Sequence, residues 1–128
     1  WNLENPTAAY QEWYRVLKPS GKLIVFDANW YHYLFSVELR NAYEEDRQNV
    51  KRAHLYDHNI GENFDQMERI AEQLPMTVTE RPSWDKQALE KIGFRNIQID
   101  TEVYKRVWTE EEKINYASTP LFEIIATK

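Results

Sequence analysis

The chain has 128 residues, of which 42% are hydrophobic and 29% charged, with a net charge of −5 and a pI near 5.2. That composition suits one globular domain or less. It leaves no basic footprint for nucleic acid, no apolar run near membrane-spanning length and, without any cysteine, no disulfide or thiolate metal site. The expectation is an acidic cytoplasmic protein acting on a small molecule. Aromatic residues reach 14%, with five Trp and eight Tyr. They point either to a core built from large rings or to an aromatic-lined pocket.

The stretch from Asn5 to Trp30 reads as helix, tight turn, strand and loop. Asn5 is a good N-cap, and Pro6 suits the first helical position, where its missing N–H costs nothing. Ala9, Trp13, Val16 and Leu17 recur at helical spacing and form an apolar stripe. Lys18-Pro19-Ser20-Gly21 stops the helix and turns the chain. Leu23-Ile24-Val25-Phe26 then runs without a polar residue, which predicts a strand covered on both faces. In open α/β sheets ligands bind at the carboxyl ends of strands, so Asp27-Ala28-Asn29-Trp30 is where chemistry is sought.

Tyr31 to Phe35 is the most aromatic segment, and it reads either as a lid over a pocket or as the hinge of the next helix. Ser36 to Leu55 predicts a long helix with a modest stripe of Leu39, Tyr43, Val50 and Ala53. Its other face, including Arg40, Asp46 and Arg47, reads as solvated. A helix this polar leans on a partner along a narrow seam, another subunit or a missing half. His54 and His58 stand at the four-residue spacing of one helical face. They are either two metal ligands lacking a third in any defined motif, or surface histidines near a helix C-terminus. Asn63 caps a predicted amphipathic helix from Phe64 to Leu74, with Gln66 at capping-box spacing and Phe64 and Met67 in its core face. Pro75 ends it.

Met76 to Pro82 reads as extended. A short helix follows through Ile92, capped by Ser83 or Asp85 and closed by Gly93 in a Schellman ending. Ile97, Ile99, Thr101 and Val103 alternate with polar residues, as on a strand near a sheet edge. Thr109 and Glu112 form a capping box for a helix from Glu110 to Tyr116. Leu121 to Thr127 is the final strand. No nucleophile–base pattern, phosphate loop, metal cluster or repeat stands out, so no catalytic residue is assigned.

Several of these segments share a likeness. Trp1-Asn2-Leu3, Glu12-Trp13 in a proline-started helix, the run Arg15-Val16-Leu17-Lys18-Pro19-Ser20-Gly21, and Phe26-Asp27-Ala28-Asn29-Trp30 resemble the central part of class I S-adenosylmethionine-dependent methyltransferases. In that family the pattern spans the end of the fourth strand, the next helix and the fifth strand. Ser20 stands where the family usually has a second glycine. The likeness resumes from Trp84 to Phe94 and at the last strand, so it covers the two ends of the chain.

The resemblance implies an α/β fold, the C-terminal part of a doubly wound, Rossmann-like sheet with a helical insertion. Residues 1–30 would hold the helix and central strand, 31–81 the insertion, and 82–128 a helix, an edge strand and a final strand. That final strand would run antiparallel between the fifth and sixth. S-adenosylmethionine is the implied cofactor, with Trp1 and Asn2 beside it, although Trp1 also reads as a frayed terminus. Asp27, Asn29, Trp30, Tyr31, His32 and Tyr33 are the candidate contacts to the methyl acceptor. Asp27 also reads as a cap or turn residue, and His32 as a base. The family's Gly-rich cofactor loop has no counterpart here. Gly21, Gly61 and Gly93 lie far apart, and the first residue is Trp1. The expectation is a fragment of a larger methyltransferase, inactive alone, with a bare strand edge that recruits a second copy through that edge or through swapped helices from residues 36 to 74. A non-catalytic dimerisation module is the alternative. A dinucleotide-dependent hydride enzyme is a third class, for which no fingerprint is present.

Overall fold

Asn5 accepts a hydrogen bond from the Ala8 N–H at 2.9 Å and starts α1 (Pro6–Val16). The computed structural model describes residues 2–61 and 63–128. After α1 the chain makes β1 (Lys22–Asp27), α2 (Val37–Arg52), α3 (Phe64–Ala71), α4 (Ser83–Ile92), β2 (Arg95–Asp100), α5 (Tyr104–Val107), α6 (Glu110–Asn115) and β3 (Phe122–Thr127). Short 3₁₀ turns cover His32–Leu34 and Pro75–Thr77. The protein is therefore mixed α/β. Among the described residues, three strands lie in the order β1-β3-β2, with β3 antiparallel to both neighbours.

Register explains where the core lies. Leu23, Val25 and Asp27 stand opposite Ala126, Ile124 and Phe122, so all six share one face. Tyr10 and Tyr14 of α1 and Leu89 and Ile92 of α4 pack on that face, with Phe94 beside them. Gly93 adopts φ +115, and the Phe94 N–H returns to the Leu89 carbonyl at 3.0 Å, the expected Schellman ending. Phe94 then meets the Tyr14 ring edge-on at 4.9 Å.

The opposite face carries Ile24 and Phe26, and here the sequence expectation of a strand covered on both faces is corrected. Ile24 is 54% exposed and Phe26 49% exposed. Because β1 is an edge strand, no described element shields that side or pairs with its outer edge. The stripe on α1 is corrected in the same way. Tyr10, Tyr14 and Leu17 face the core, whereas Trp13 and Val16 are exposed. The helix has enough large apolar residues to offer two overlapping stripes, and the partner across the sheet selects one.

α2 finds its seam within the chain, so no second subunit is needed to explain it. Val50 and Asp46 are buried, and Asp46 accepts from the Ser118 N–H at 2.8 Å. Arg47 bonds to Asp57 and to the Asn115 carbonyl. The face containing Asp46 and Arg47 is thus an interface with the α6 region and not a solvated surface. α2 ends at Arg52, and His54 takes a left-handed φ of +55, so His54 and His58 do not share a helical face. His58 instead reaches Tyr116 Oη at 3.1 Å and Glu111 Oε1 at 3.2 Å.

Other boundaries shift. α3 stops at Ala71, Asn63 makes no side-chain cap, and Met67 lies partly exposed. Residues 76–82 hold a 3₁₀ turn where an extended segment is expected, because Thr77 Oγ1 donates back to the Ala71 carbonyl at 2.6 Å. Neither Ser83 nor Asp85 caps α4; Ser83 Oγ donates to the Glu80 carbonyl and Asp85 is drawn into a buried ion pair. β2 ends at Asp100, after which Val103 turns inward and is buried. The Thr109–Glu112 capping box forms in full.

Candidate functional site

At the carboxyl end of β1 lies a cavity of about 520 Å³, within the range of small-molecule sites. The walls come from three places. The loop after β1 supplies Asn29, His32 and Tyr33, the segment before α4 supplies Val78, Glu80 and Arg81, and the turn before β3 supplies Ser118 and Thr119. Leu39 closes the α2 side and Phe122 the β3 side.

The floor is an ionic network. Arg81 bonds to both oxygens of Asp85 through Nε, at 3.1 and 2.9 Å, and through Nη2 at 2.8 Å. Its Nη1 donates to Asp27. Asp85 is fully buried, and the Arg81 side chain is 5% exposed. Tyr10 Oη donates to Asp85 Oδ1 at 2.6 Å, and Asp27 Oδ1 accepts from the Ala28 N–H at 2.9 Å and from Trp30 Nε1 at 2.8 Å. The backbone is clamped as well. Asn29 Nδ2 donates to the Arg81 carbonyl at 3.0 Å, and Asn29 Oδ1 accepts from the Arg81 N–H at 3.2 Å.

Burial alone would raise the Asp27 pKa, but the Arg81 charge leads the opposing effects and the net is a carboxyl below its ordinary 3.8. Burial pushes the Tyr10 phenol well up, reinforced by the Asp85 charge. Burial disfavours the Arg81 cation, yet its two carboxylates outweigh that and raise its pKa. Asp27 is therefore a carboxylate anchored in this network.

His32 differs. Its Nε2 lies 2.8 Å from the Thr79 carbonyl. A carbonyl only accepts, so Nε2 carries the proton, and in neutral imidazole Nδ1 is left with a lone pair. Tyr33 is held between α2 side chains, its ring stacked on Tyr43 at 4.1 Å with Arg40 over it at 4.6 Å. Tyr33 Oη donates to Glu68 at 2.9 Å. Burial and neighbouring negative charge push its phenol far up, and burial pushes Tyr43 up to about 12.

The six candidate acceptor residues thus separate. Asn29, His32 and Tyr33 line the cavity. Asp27 and Trp30 form the wall behind it, with Trp30 edge-on to Tyr116 at 5.6 Å. Tyr31 packs beside Tyr33 at 5.9 Å, and burial raises its phenol. Of the two candidate cofactor contacts, Asn2 is exposed, and Trp1 lies outside the described residues. Sequence reasoning missed Arg81, Asp85 and Tyr10. The opposite charges of Arg81 and Asp85 at four-residue spacing are the one local signal available for them. Ser118 was missed with no local signal at all.

The glycines do not build a cofactor cradle. A Cβ on Gly21 would lie 2.8 Å from the Lys18 carbonyl, and one on Gly93 3.2 Å from Tyr14 Oη. Those two positions serve a turn and a helix end, and Gly61 faces nothing within 4 Å. These three glycines therefore build no Gly-rich cofactor loop. Among the described residues, no helix is long and apolar enough to cross a membrane, and no group of three or more His, Cys, Asp or Glu is placed to hold a metal ion. No protein-family model matches the chain, and comparison with curated proteins and with solved structures likewise finds no match. The methyltransferase expectation rests on the residues and their arrangement alone.

Proposed function

We propose that the chain is the acceptor-binding, C-terminal part of a class I S-adenosylmethionine-dependent methyltransferase domain. The observation that carries this reading is the strand arrangement. β3 lies antiparallel between β1 and β2, which makes β1 and β2 parallel to each other. The cavity at the carboxyl end of β1 adds support, since that is where open α/β sheets bind ligands. S-adenosylmethionine, when bound, supplies an activated methyl group. The chain's own residues enclose and orient the acceptor, exclude water, and offer His32 Nδ1 as a site for the acceptor's proton. Cofactor contacts belong to strands paired along the free edge of β1.

That edge is suited to such pairing. Trp13 and Val16 stand on one side of it and Ile24 and Phe26 on the other, around a groove of about 510 Å³. The same edge favours a second reading, an interaction module that dimerises. Symmetric antiparallel pairing of two β1 strands has its two-fold axis normal to the sheet. Both bare faces then lie on one side, so Ile24 and Phe26 stay uncovered. A strand with its own covering helix satisfies both needs, which favours the first reading.

The test uses the protein expressed from the whole gene. A Gly-rich strand–loop–helix within about 100 residues before Trp1, together with saturable calorimetric binding of S-adenosylhomocysteine, is the expected result. A folded whole-gene product that binds neither S-adenosylmethionine nor S-adenosylhomocysteine overturns it. A stable dimer of such a product, without cofactor binding, supports the interaction module.

A further inference from the structure

The cavity continues outward. A smaller hollow of about 180 Å³ shares His32, Leu39 and Val78 with it and is bounded further out by Phe35. The outer part is apolar and open: Phe35 is 56% exposed and Val78 65% exposed. The inner part is polar in a particular way. Among the described residues, Arg81 is the one guanidinium or ammonium group in its wall, and its Nε, Nη1 and Nη2 each donate to Asp27 or Asp85. Glu80 is an exposed carboxylate on that wall, with no cation within salt-bridge distance among the described residues. Ser118 Oγ is buried there and has no hydrogen-bond partner among the described residues.

An anionic head meets the Glu80 charge, and among the described residues the one cation in the wall, Arg81, already faces two carboxylates. A head that donates hydrogen bonds finds Glu80, Ser118 Oγ and the His32 imidazole. A buried hydroxyl left unpaired is costly, so a ligand that engages it is favoured over an empty wall. The apolar outer hollow in turn gains from covering by hydrocarbon.

We propose that the site takes a small amphiphilic amine, its head in the inner cavity against Glu80 and Ser118, its alkyl tail along Leu39 and Val78 toward Phe35. This names the acceptor class of the cavity, and as an acceptor assignment it rests on the methyltransferase reading; as a binding statement it stands on the cavity alone. The site holds an amine donor and an apolar chain at once, which neither a free amino group nor a fatty acid matches.

Octylamine, octan-1-ol, octanoate and butylamine, each below its aggregation limit, separate the contributions of head and tail by calorimetric titration near pH 7. Octylamine should bind at least tenfold more tightly than octanoate. Four methylenes fully buried would be worth roughly 200-fold; on this half-open groove, butylamine should bind about tenfold more weakly than octylamine. Glu80→Gln should reduce the preference for octylamine over octan-1-ol several-fold, and Val78→Asn should narrow the gap between the two chain lengths. Both positions are exposed, so the variants should fold, which circular dichroism checks. Octanoate binding as tightly as octylamine, equal affinity for both chain lengths, or no saturable binding of any probe overturns the proposal. Because these titrations need no cofactor, the amine preference stands or falls separately from S-adenosylhomocysteine binding by the whole-gene protein.

Discussion

Replacing Arg81 by Met should cost about 3–5 kcal/mol of folding stability at pH 7, the usual consequence of removing one partner from a buried ion pair. The structure sets where in that range it falls. Arg81 serves two carboxylates, Asp27 and the fully buried Asp85. Removing it leaves Asp85 with the Tyr10 hydroxyl, and Asp27 with donors that include the Ala28 N–H and the Trp30 indole. Those remaining donors soften the loss, so the middle of the range is expected. Domains of this size are stable by about 5–15 kcal/mol in all, so the variant should fold but unfold roughly 10–15 °C earlier.

The assay is urea unfolding followed by tryptophan fluorescence, repeated from pH 7 down to pH 4. Asp27 has a folded pKa below its ordinary 3.8. Its contribution is therefore fully present above that ordinary value and is lost as pH falls through the lower, folded one. Without Arg81 the Asp27 carboxyl loses the leading charge that holds it down and should take up a proton on acidification. The deficit of Arg81→Met should accordingly shrink as pH falls, and the wild-type and variant curves should converge. Combining Arg81→Met with Asp27→Asn and Asp85→Asn should recover at least half of the loss, since neutral groups avoid the unpaired charge. A deficit under 1 kcal/mol, or one that neither acid nor the two Asn substitutions relieve, would refute the account of the cavity floor.

Other perturbations read other parts of the structure. Asn5→Ala removes the side-chain acceptor for the Ala8 N–H and should cost about 1 kcal/mol in thermal or urea unfolding. Gly93→Ala forces a side chain into φ +115 and against Tyr14 at 3.2 Å, so a loss of about 1–2 kcal/mol is expected; a neutral result would mean that α4 ends differently. Ile24→Lys with Phe26→Lys should leave the unfolding midpoint within about 0.5 kcal/mol of wild type while reducing hydrophobic-dye binding and any self-association seen by sedimentation. Measured on this 128-residue chain, a loss of several kcal/mol in that pair would show that the outer face of β1 is covered within the chain itself.

What could be read from the sequence is what a few neighbouring residues decide. Asn5-Pro6, Gly93-Phe94 and the Thr109–Glu112 box act within one turn of chain, and each forms as its chemistry dictates. The cavity wall was partly legible for a related reason: Asn29, His32 and Tyr33 follow directly from the strand that places them. Arg81 was not, because its meaning lies in Asp27, fifty-four positions earlier. Asp46 and Arg47 misled because a charged residue on a polar helix reads as solvated, and only the arrival of Asn115 and Ser118 makes them an interface. Tyr10 lost to Trp13 because both are large and aromatic, and one step around the helix decides which meets the sheet.

The contrast between β1 and β3 bears most directly on what surrounds this chain in its working state. β3 buries Phe122, Ile124 and Ala126, and its alternate residues are only half-covered although strands flank it on both sides. β1 is at least as apolar from Leu23 to Phe26, yet it lies at an edge with Ile24 and Phe26 bare. Edge strands are ordinarily protected by charge, proline, a bulge or brevity. β1 carries Lys22 and Asp27 at its ends and nothing of the kind between them, whereas β2, the opposite edge, is polar at Gln98 and has a register shift between Arg95 and Gln98. The two edges of one small sheet thus differ: β2 is polar and interrupted by a register shift, and β1 is apolar and continuous. On the proposed reading, a strand and a covering helix set against β1 would give Trp13, Val16, Ile24 and Phe26 each a neighbour.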